Sequence, residues 1–172
     1  MIGSGQVPSP RVGIVILNYH QPEVTIACIR RLHEIEGNSA FILWVENDAG
    51  TTHTDAVHRL ESCGIPWTQV DPATDPLPQV GYIGYIPVTE NLGYAGGNNI
   101  GLRYLDRHHV DFAWVMNNDT FLEQGSSHTL VEAAEARPEV GLWGVTLRGP
   151  EGRKYSGASL NGFSPRLFGG PR

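Results

Sequence analysis

Residues 111–120 read DFAWVMNNDT, an apolar run that stops on Asn117, Asn118 and Asp119. A hydrophobic strand that delivers two amides and a carboxylate to its carboxyl end makes a ledge of oxygen donors. Such a ledge suits a divalent metal, Mg²⁺ or Mn²⁺, which keeps several waters and takes one or two carboxylates plus substrate phosphate. The plain alternative is a polar turn closing a strand, where Asn and Asp are common anyway. Two further apolar runs end in the same manner. Val12–Leu17 leads into Asn18 and Tyr19, and Ala40–Val45 leads into Glu46, Asn47 and Asp48. Parallel strands end on one side of a sheet, and ligands of open α/β sheets bind outside those carboxyl ends. Tyr19 then offers a flat face for a base. Glu46 and Asn47 offer groups for a base edge or a ribose, and Asp119 offers the metal ligand. Three such tips together outline a nucleoside diphosphate lying across the sheet edge.

A glycine-rich segment, NLGYAGGNNIG from Asn91 to Gly101, sits between an extended stretch and a helical one. Glycines there let backbone approach a ligand, and a helix start favours phosphate. The G-x-G-x-x-G spacing of a dinucleotide fingerprint is absent, and no Gly-Lys-Ser/Thr follows to make a phosphate-binding P-loop. The alternative is close helix–strand packing around small residues.

These residues need elements to position them. Val12–Leu17 is a continuous β-branched run, as in a strand buried on both faces. Pro22 suits the first turn of a helix that runs to about Glu36, with Glu23 near its positive end. Gly37, Asn38 and Ser39 break it, and Ala40–Val45 is a second buried strand. An amphipathic helix is expected from about Thr54 to Cys63, with Gly64 at its C′ position. Ile65–Val70 reads as a third strand and Asp71–Gln79, with three prolines, as an irregular surface loop. Tyr82–Thr89 is extended, Ala95–Arg107 helical, Asp111–Met116 a strand, and Gln124–Arg137 a helix halted by Pro138. Val140–Leu147 and Lys154–Ala158 read as strands. The alternation predicts an α/β fold, a three-layer α/β/α sandwich on a mostly parallel sheet. We expect a flexible segment over residues 1–10, one domain over 11–160, and an irregular tail over 161–172.

Bulk properties narrow the function classes. The chain has 172 residues, 40% hydrophobic and 17% charged, which describes a globular domain with a real core. A net charge of −6 without a basic cluster argues against nucleic acid as a partner. Cys28 and Cys63 are too few for a disulfide framework or a zinc site, so reduced thiols and a cytoplasmic location are expected. The opening MIGSGQVPSP lacks the basic and apolar regions of a signal peptide, and the apolar runs are too short to span a bilayer. His53, His58 and the His108-His109 pair lack metal-ligand spacing and read as surface or structural. Trp44, Trp114 and Trp143 fall in expected strands and read as core.

VGIVILNYH, WVEND, ENLGYAGGNNIGLRYL and WVMNNDT, in that order, resemble the family 2 glycosyltransferases, in their bacterial rhamnosyltransferase-like branch. The resemblance spans roughly Arg11 to Ala158, and its last two motifs are the more specific. It implies a GT-A fold, a sugar donor linked to a nucleoside diphosphate such as UDP or dTDP, and a divalent metal on a DxD-like motif. Matched residue by residue, Tyr19 is the strand-end aromatic that packs on the base, with Asn18 before it among the nucleotide-binding residues. Glu46 and Asn47 are the pair at the base and ribose, Glu46 replacing the usual Asp. Asn91, Gly93, Asn99 and Gly101 are the glycine–asparagine signature near the donor sugar. Asn117, Asn118 and Asp119 are the metal triplet, with Asp119 as ligand and Asn117 where many members carry an acid.

The chemistry implied is inverting transfer of a sugar to a polysaccharide or lipid-linked glycan acceptor. An attached acceptor of that kind also implies peripheral association with the inner face of a membrane. Such transfer needs a carboxylate base, because an alcohol is a poor nucleophile at neutral pH. The family's base lies well beyond the metal site, whereas this chain runs only about fifty residues past Asp119. Glu132, Glu135, Glu139 and Glu151 are available, and none is assigned the role. The favoured expectation is the donor-binding part of a longer enzyme. The alternatives are a short protein completed by a partner subunit or by self-association, and a degenerate remnant. Two other functions compete: a non-catalytic nucleotide-sugar-binding module, and a sugar-nucleotide nucleotidyltransferase. The second would carry a glycine- and arginine-rich loop after the first strand, where this chain has NYHQPE.

Overall fold

The computed structural model describes residues 11–37, 39–122, 127–146, 148, 149 and 151–154. The chain divides into two compact units, Met1–Thr129 and Leu130–Arg172. In chain order the first unit holds β1 (Val12–Asn18), α1 (Pro22–Glu36), β2 (Ala40–Asn47), α2 (Ala49–Ser62) and β3 (Trp67–Gln69). β4 (Ile83–Val88), α3 (Gly93–Arg107) and β5 (Phe112–Asn117) follow. A further helix, α4 (Ser127–Glu135), begins in this unit and continues into the second.

The five strands form one all-parallel sheet in the order β3-β4-β2-β1-β5. β1 is buried along its whole length and β2 almost so, as their unbroken apolar runs require. Alternation then assigns each side chain to a layer. Residues 13, 15 and 17 of β1 meet α3: a Cβ on Gly101 would come within 2.7 Å of Val15, and one on Gly97 would collide with Leu17. Val15, Leu17, Leu43, Val45, Ile86, Tyr104 and Leu105 make the core of that layer. Asn18 of β1 and Glu46 of β2 instead bond to α1 and α2, which pack against each other on the opposite face. The result is a three-layer α/β/α arrangement.

Several boundaries differ from expectation. α2 starts at Ala49 rather than near Thr54, because Asp48, in the left-handed region at φ 96°, turns the chain directly from β2 into the helix. Gly64, at φ +78°, follows the α2 C-cap at Cys63 as expected. The segment 71–79 is irregular but tied down: Tyr104 donates to the Pro76 carbonyl, Arg107 to that of Pro72, and a His108 ring nitrogen lies 3.1 Å from the Asp75 carbonyl. The start of α4 is held by Glu36 at the end of α1, whose carboxylate accepts from Ser127 N–H at 2.7 Å and Ser127 Oγ at 2.6 Å.

In the second unit, the strand expected over Val140–Leu147 does not form over residues 140–146. A strand exists through its ladder, and among the described residues this stretch has none. Gly141 and Gly144 interrupt it, and Leu142, Trp143 and Val145 are exposed rather than packed. Arg148 and Lys154 pair in an isolated antiparallel bridge, closed by a Gly149 N–H bond to the Arg153 carbonyl at 2.9 Å. Leu147, Gln124 to Ser126, the expected strand beyond Lys154, and the segments 1–10 and 161–172 lie outside the described residues.

Candidate functional site

The path of the chain through the sheet makes a crevice at one place. β1 is followed by β2 on one side, whereas β5, reached through α3, lies on the other. Strand order reverses there, which is where open parallel sheets bind ligands. The carboxyl ends of β1, β2 and β5 bring together Asn18, Tyr19, Glu46, Asn47, Asn117, Asn118 and Asp119.

Side-chain alternation divides these residues between two layers. Asn18, fully buried, is the hub on the α1 side: its Nδ2 donates to both Glu46 oxygens at 2.9 Å. Its Oδ1 accepts from Thr25 Oγ1 at 2.8 Å, Gln21 N–H at 3.2 Å and Asn118 Nδ2 at 3.3 Å. Asn118 Nδ2 also donates to Thr25 Oγ1 at 3.0 Å. Glu46 is equally buried and accepts further bonds from Trp44 Nε1 at 2.9 Å and Thr52 Oγ1 at 2.5 Å. Every one of these contacts brings a donor to an acceptor-only carboxylate. Glu46 therefore faces inward and ties β1, β2 and α2 together, instead of presenting oxygens to a base or ribose.

On the α3 side, Asn47 holds the glycine segment. Its Oδ1 accepts from Leu92 N–H at 2.9 Å, and its Nδ2 donates to Asn91 Oδ1 at 2.9 Å. Asn91 Oδ1 also accepts from Gly93 N–H at 2.8 Å, one of the donors a helix start leaves unpaired. Gly93 enters α3 at φ +69°, a conformation that glycine adopts without strain. The positive end of α3 is thus fastened to the tip of β2. Gly97 and Gly101 serve helix–strand packing against β1, so for these two the close-packing alternative holds. Asn99 is exposed and lies about 200° around the helix from Gly97, so α3 does not bring it to the strand tips.

The outward groups are few. Tyr19 is 48% exposed, its ring edge-on to His20 at 4.2 Å. His20, at φ 56°, lies 3.2 Å from the Asp48 carboxylate, so two strained non-glycine residues join the tips of β1 and β2. Asn117 is exposed and accepts a 2.8 Å bond from the Tyr94 hydroxyl. Asp119 is exposed, and no side-chain hydrogen bond engages it among the described residues. Its charge is felt by Cys28: burial pushes that thiol up to about 12, and Asp119 adds to the rise.

Sequence reasoning missed Thr25, Thr52, Tyr94, Asn98 and His20, and it named Asp48 at a strand tip without its pairing to His20. Thr25 and Thr52 lie on α1 and α2 and meet Asn18 and Glu46 only through the fold, so no strand pattern marks them. Asn98, 4% exposed, donates to the Tyr94 carbonyl at 2.9 Å and leaves its Oδ1 buried without a partner among the described residues.

Among the described residues no three His, Cys, Asp or Glu side chains cluster as a metal cage. A single free carboxylate fits a hard cation that brings water and phosphate as its other ligands. Also among them, no helix is long and apolar enough to cross a membrane. His53 contacts the Tyr85 hydroxyl at 3.1 Å and His108 stacks edge-on against Tyr104, both structural uses. Trp44 is core, whereas Trp143 is 37% exposed. No family model matches the chain and no curated protein matches it significantly, so the reading of the site rests on its residues and geometry.

Proposed function

We propose that the β1/β2/β5 edge binds a nucleoside-diphosphate sugar across its strand tips, in the manner of a GT-A fold, with Mg²⁺ or Mn²⁺ on Asp119. In this reading the chain is the donor-binding part of an inverting, family 2-like glycosyltransferase whose acceptor is a polysaccharide or lipid-linked glycan. The observation that carries it is Asp119: an exposed carboxylate without a side-chain hydrogen bond among the described residues, at the switch point of a parallel sheet, with the exposed Tyr19 at the end of the neighbouring strand.

Tyr19 packs on the base, its ring backed by His20. Asn47 and Asn91 hold the start of α3 where its dipole favours the diphosphate. Glu46 and Asn18 act behind the site: by locking the tips of β1 and β2, they fix Tyr19 and Asn118 in place. When bound, the metal supplies Lewis-acid stabilisation of the departing diphosphate. Asp119 holds it, and Asn117 stays neutral beside it, which avoids a second negative charge facing the phosphates.

A second reading, a non-catalytic nucleotide-sugar-binding module, is favoured by one observation. The carboxylates gathered at the tips each have another engagement: Glu46 is buried, Asp48 pairs with His20, and Asp119 is the metal ligand. Among the described residues of the β1, β2 and β5 tips, none is left to take a proton from an acceptor hydroxyl. Isothermal titration with UDP and dTDP, with and without Mn²⁺, tests the binding common to both readings. Metal-dependent binding that weakens at least tenfold in Asp119→Ala is expected. Equal binding by wild type and Asp119→Ala contradicts the site, and donor hydrolysis or transfer then separates enzyme from module.

A further inference from the structure

Tyr94 has no role in the proposed function, yet its side chain contacts Asn117 on the ledge. Tyr94 lies in the first turn of α3 and is 62% exposed. Its hydroxyl donates to Asn117 Oδ1 at 2.8 Å. One turn on, the buried Asn98 donates to the Tyr94 carbonyl at 2.9 Å and steadies that turn. Alternation places Asn117 on the α3 face, as the register partner of Leu17, so the contact follows from the fold. The hydroxyl takes one of the two lone pairs of that oxygen, and the other end of the amide is an N–H₂ group with two donors.

We propose that Tyr94 is a positioning residue that holds the Asn117 carbonyl toward the start of α3 and so leaves its N–H₂ to donate to a phosphate oxygen of the nucleotide instead of Asn117 ligating the metal. This rests on the donor-site reading above and deepens it. The ledge becomes asymmetric: Asp119 takes the cation and Asn117 takes the anion that the cation accompanies. A carboxylate at 117 could still accept from Tyr94, but its second oxygen would face the phosphates as a negative charge. Asn117 is then required because it is neutral and a donor.

Titration of UDP in saturating Mn²⁺ against wild type, Tyr94→Phe, Asn117→Ala, Asn117→Asp, the Tyr94→Phe/Asn117→Ala double variant and Asp119→Ala tests this. UDP carries no sugar, so an effect on its affinity places the contact on the nucleotide and not on a sugar hydroxyl. Tyr94→Phe keeps the ring and is expected to weaken UDP roughly 3- to 10-fold, the range of one hydrogen bond. The concentration of Mn²⁺ giving half-maximal effect should stay unchanged, which a general loosening of the site would not allow. In the Asn117→Ala background the same substitution should have no effect, because Tyr94 acts only through Asn117. Asn117→Asp should bind UDP at least tenfold more weakly. The inference is overturned if Tyr94→Phe binds like wild type, if it costs the same in both backgrounds, or if Asn117→Asp binds UDP as tightly as wild type or more so. If wild type shows no Mn²⁺-dependent UDP binding, the inference falls together with the donor site. If wild type binds and only Asp119→Ala fails, the inference falls alone. Thermal melts of all variants should coincide within a few degrees, since Tyr94 and Asn117 are both exposed.

Discussion

Glu46 and Asp119 are carboxylates on strand tips two places apart in the sheet, and they differ in what surrounds them. Glu46 receives Asn18, Trp44 and Thr52 as donors and is sealed from solvent, whereas Asp119 is open. The difference makes opposite expectations for conservative changes. Glu46→Gln has nearly the same shape but puts an N–H₂ against donors, so one contact becomes donor facing donor. A loss of about 2–3 kcal/mol is expected, read as a lower urea midpoint at unchanged slope. A stability equal to wild type would remove Glu46 from its tying role. Asp119→Asn, by contrast, should leave the midpoint within about 0.5 kcal/mol of wild type, as surface changes do. The residue types at the site were legible in the sequence, because polar clusters after buried runs are conspicuous. Their directions were not, since Glu46 and Asn47 are neighbours that face opposite layers. Only the register of β1 against β2 shows that Glu46 meets Asn18.

The elements carry the site through three helices attached in different ways. α1 and α2 are tied to the tips by hydrogen bonds, whereas α3, fastened at its start by Asn47 and Asn91, is seated along its length by close contact of Gly97 and Gly101 on β1. Gly101→Ala should improve the helix by up to about 1 kcal/mol on propensity alone. The new Cβ, however, would stand 2.7 Å from a methyl of Val15, whose β-branched side chain has little freedom to move aside. Overpacking of this kind costs about 1–3 kcal/mol, so a net drop in thermal midpoint is expected. A rise would mean that α3 is not held by this contact. β1, α1 and β2 were legible nearly to the residue, since buried β-branched runs and a proline-initiated helix leave few alternatives. The start of α2 was not, because A-G-T-T resembles a turn and the helix begins there only through the backbone of Asp48. Residues 140–146 have strand-like composition and no ladder among the described residues, a distinction that lies in partners and not in the segment itself.

At the scale of the whole chain, three buried acids share one pH dependence. Burial raises the Cys28 thiol from 9.0 to about 12 and the Tyr104 hydroxyl from 10.0 to about 12, and it raises Tyr85 as well, with Glu46 adding to that rise. Between the unfolded and folded values the native state keeps protons that the unfolded chain has lost. Stability is therefore fully present below pH 9 and falls as pH rises from 9 toward 12. Urea midpoints should decline across that window, less steeply in Cys28→Ala, and a flat profile would contradict the burial of these groups. The central claim is that a nucleoside diphosphate and its metal lie across the tips of β1, β2 and β5. Anomalous diffraction from crystals grown with Mn²⁺ and UDP tests it most directly. The expected result is a manganese peak at bonding distance from an Asp119 carboxylate oxygen, about 2.0–2.2 Å, with the base against Tyr19. A nucleotide bound elsewhere on the protein, or manganese away from Asp119, would contradict the account.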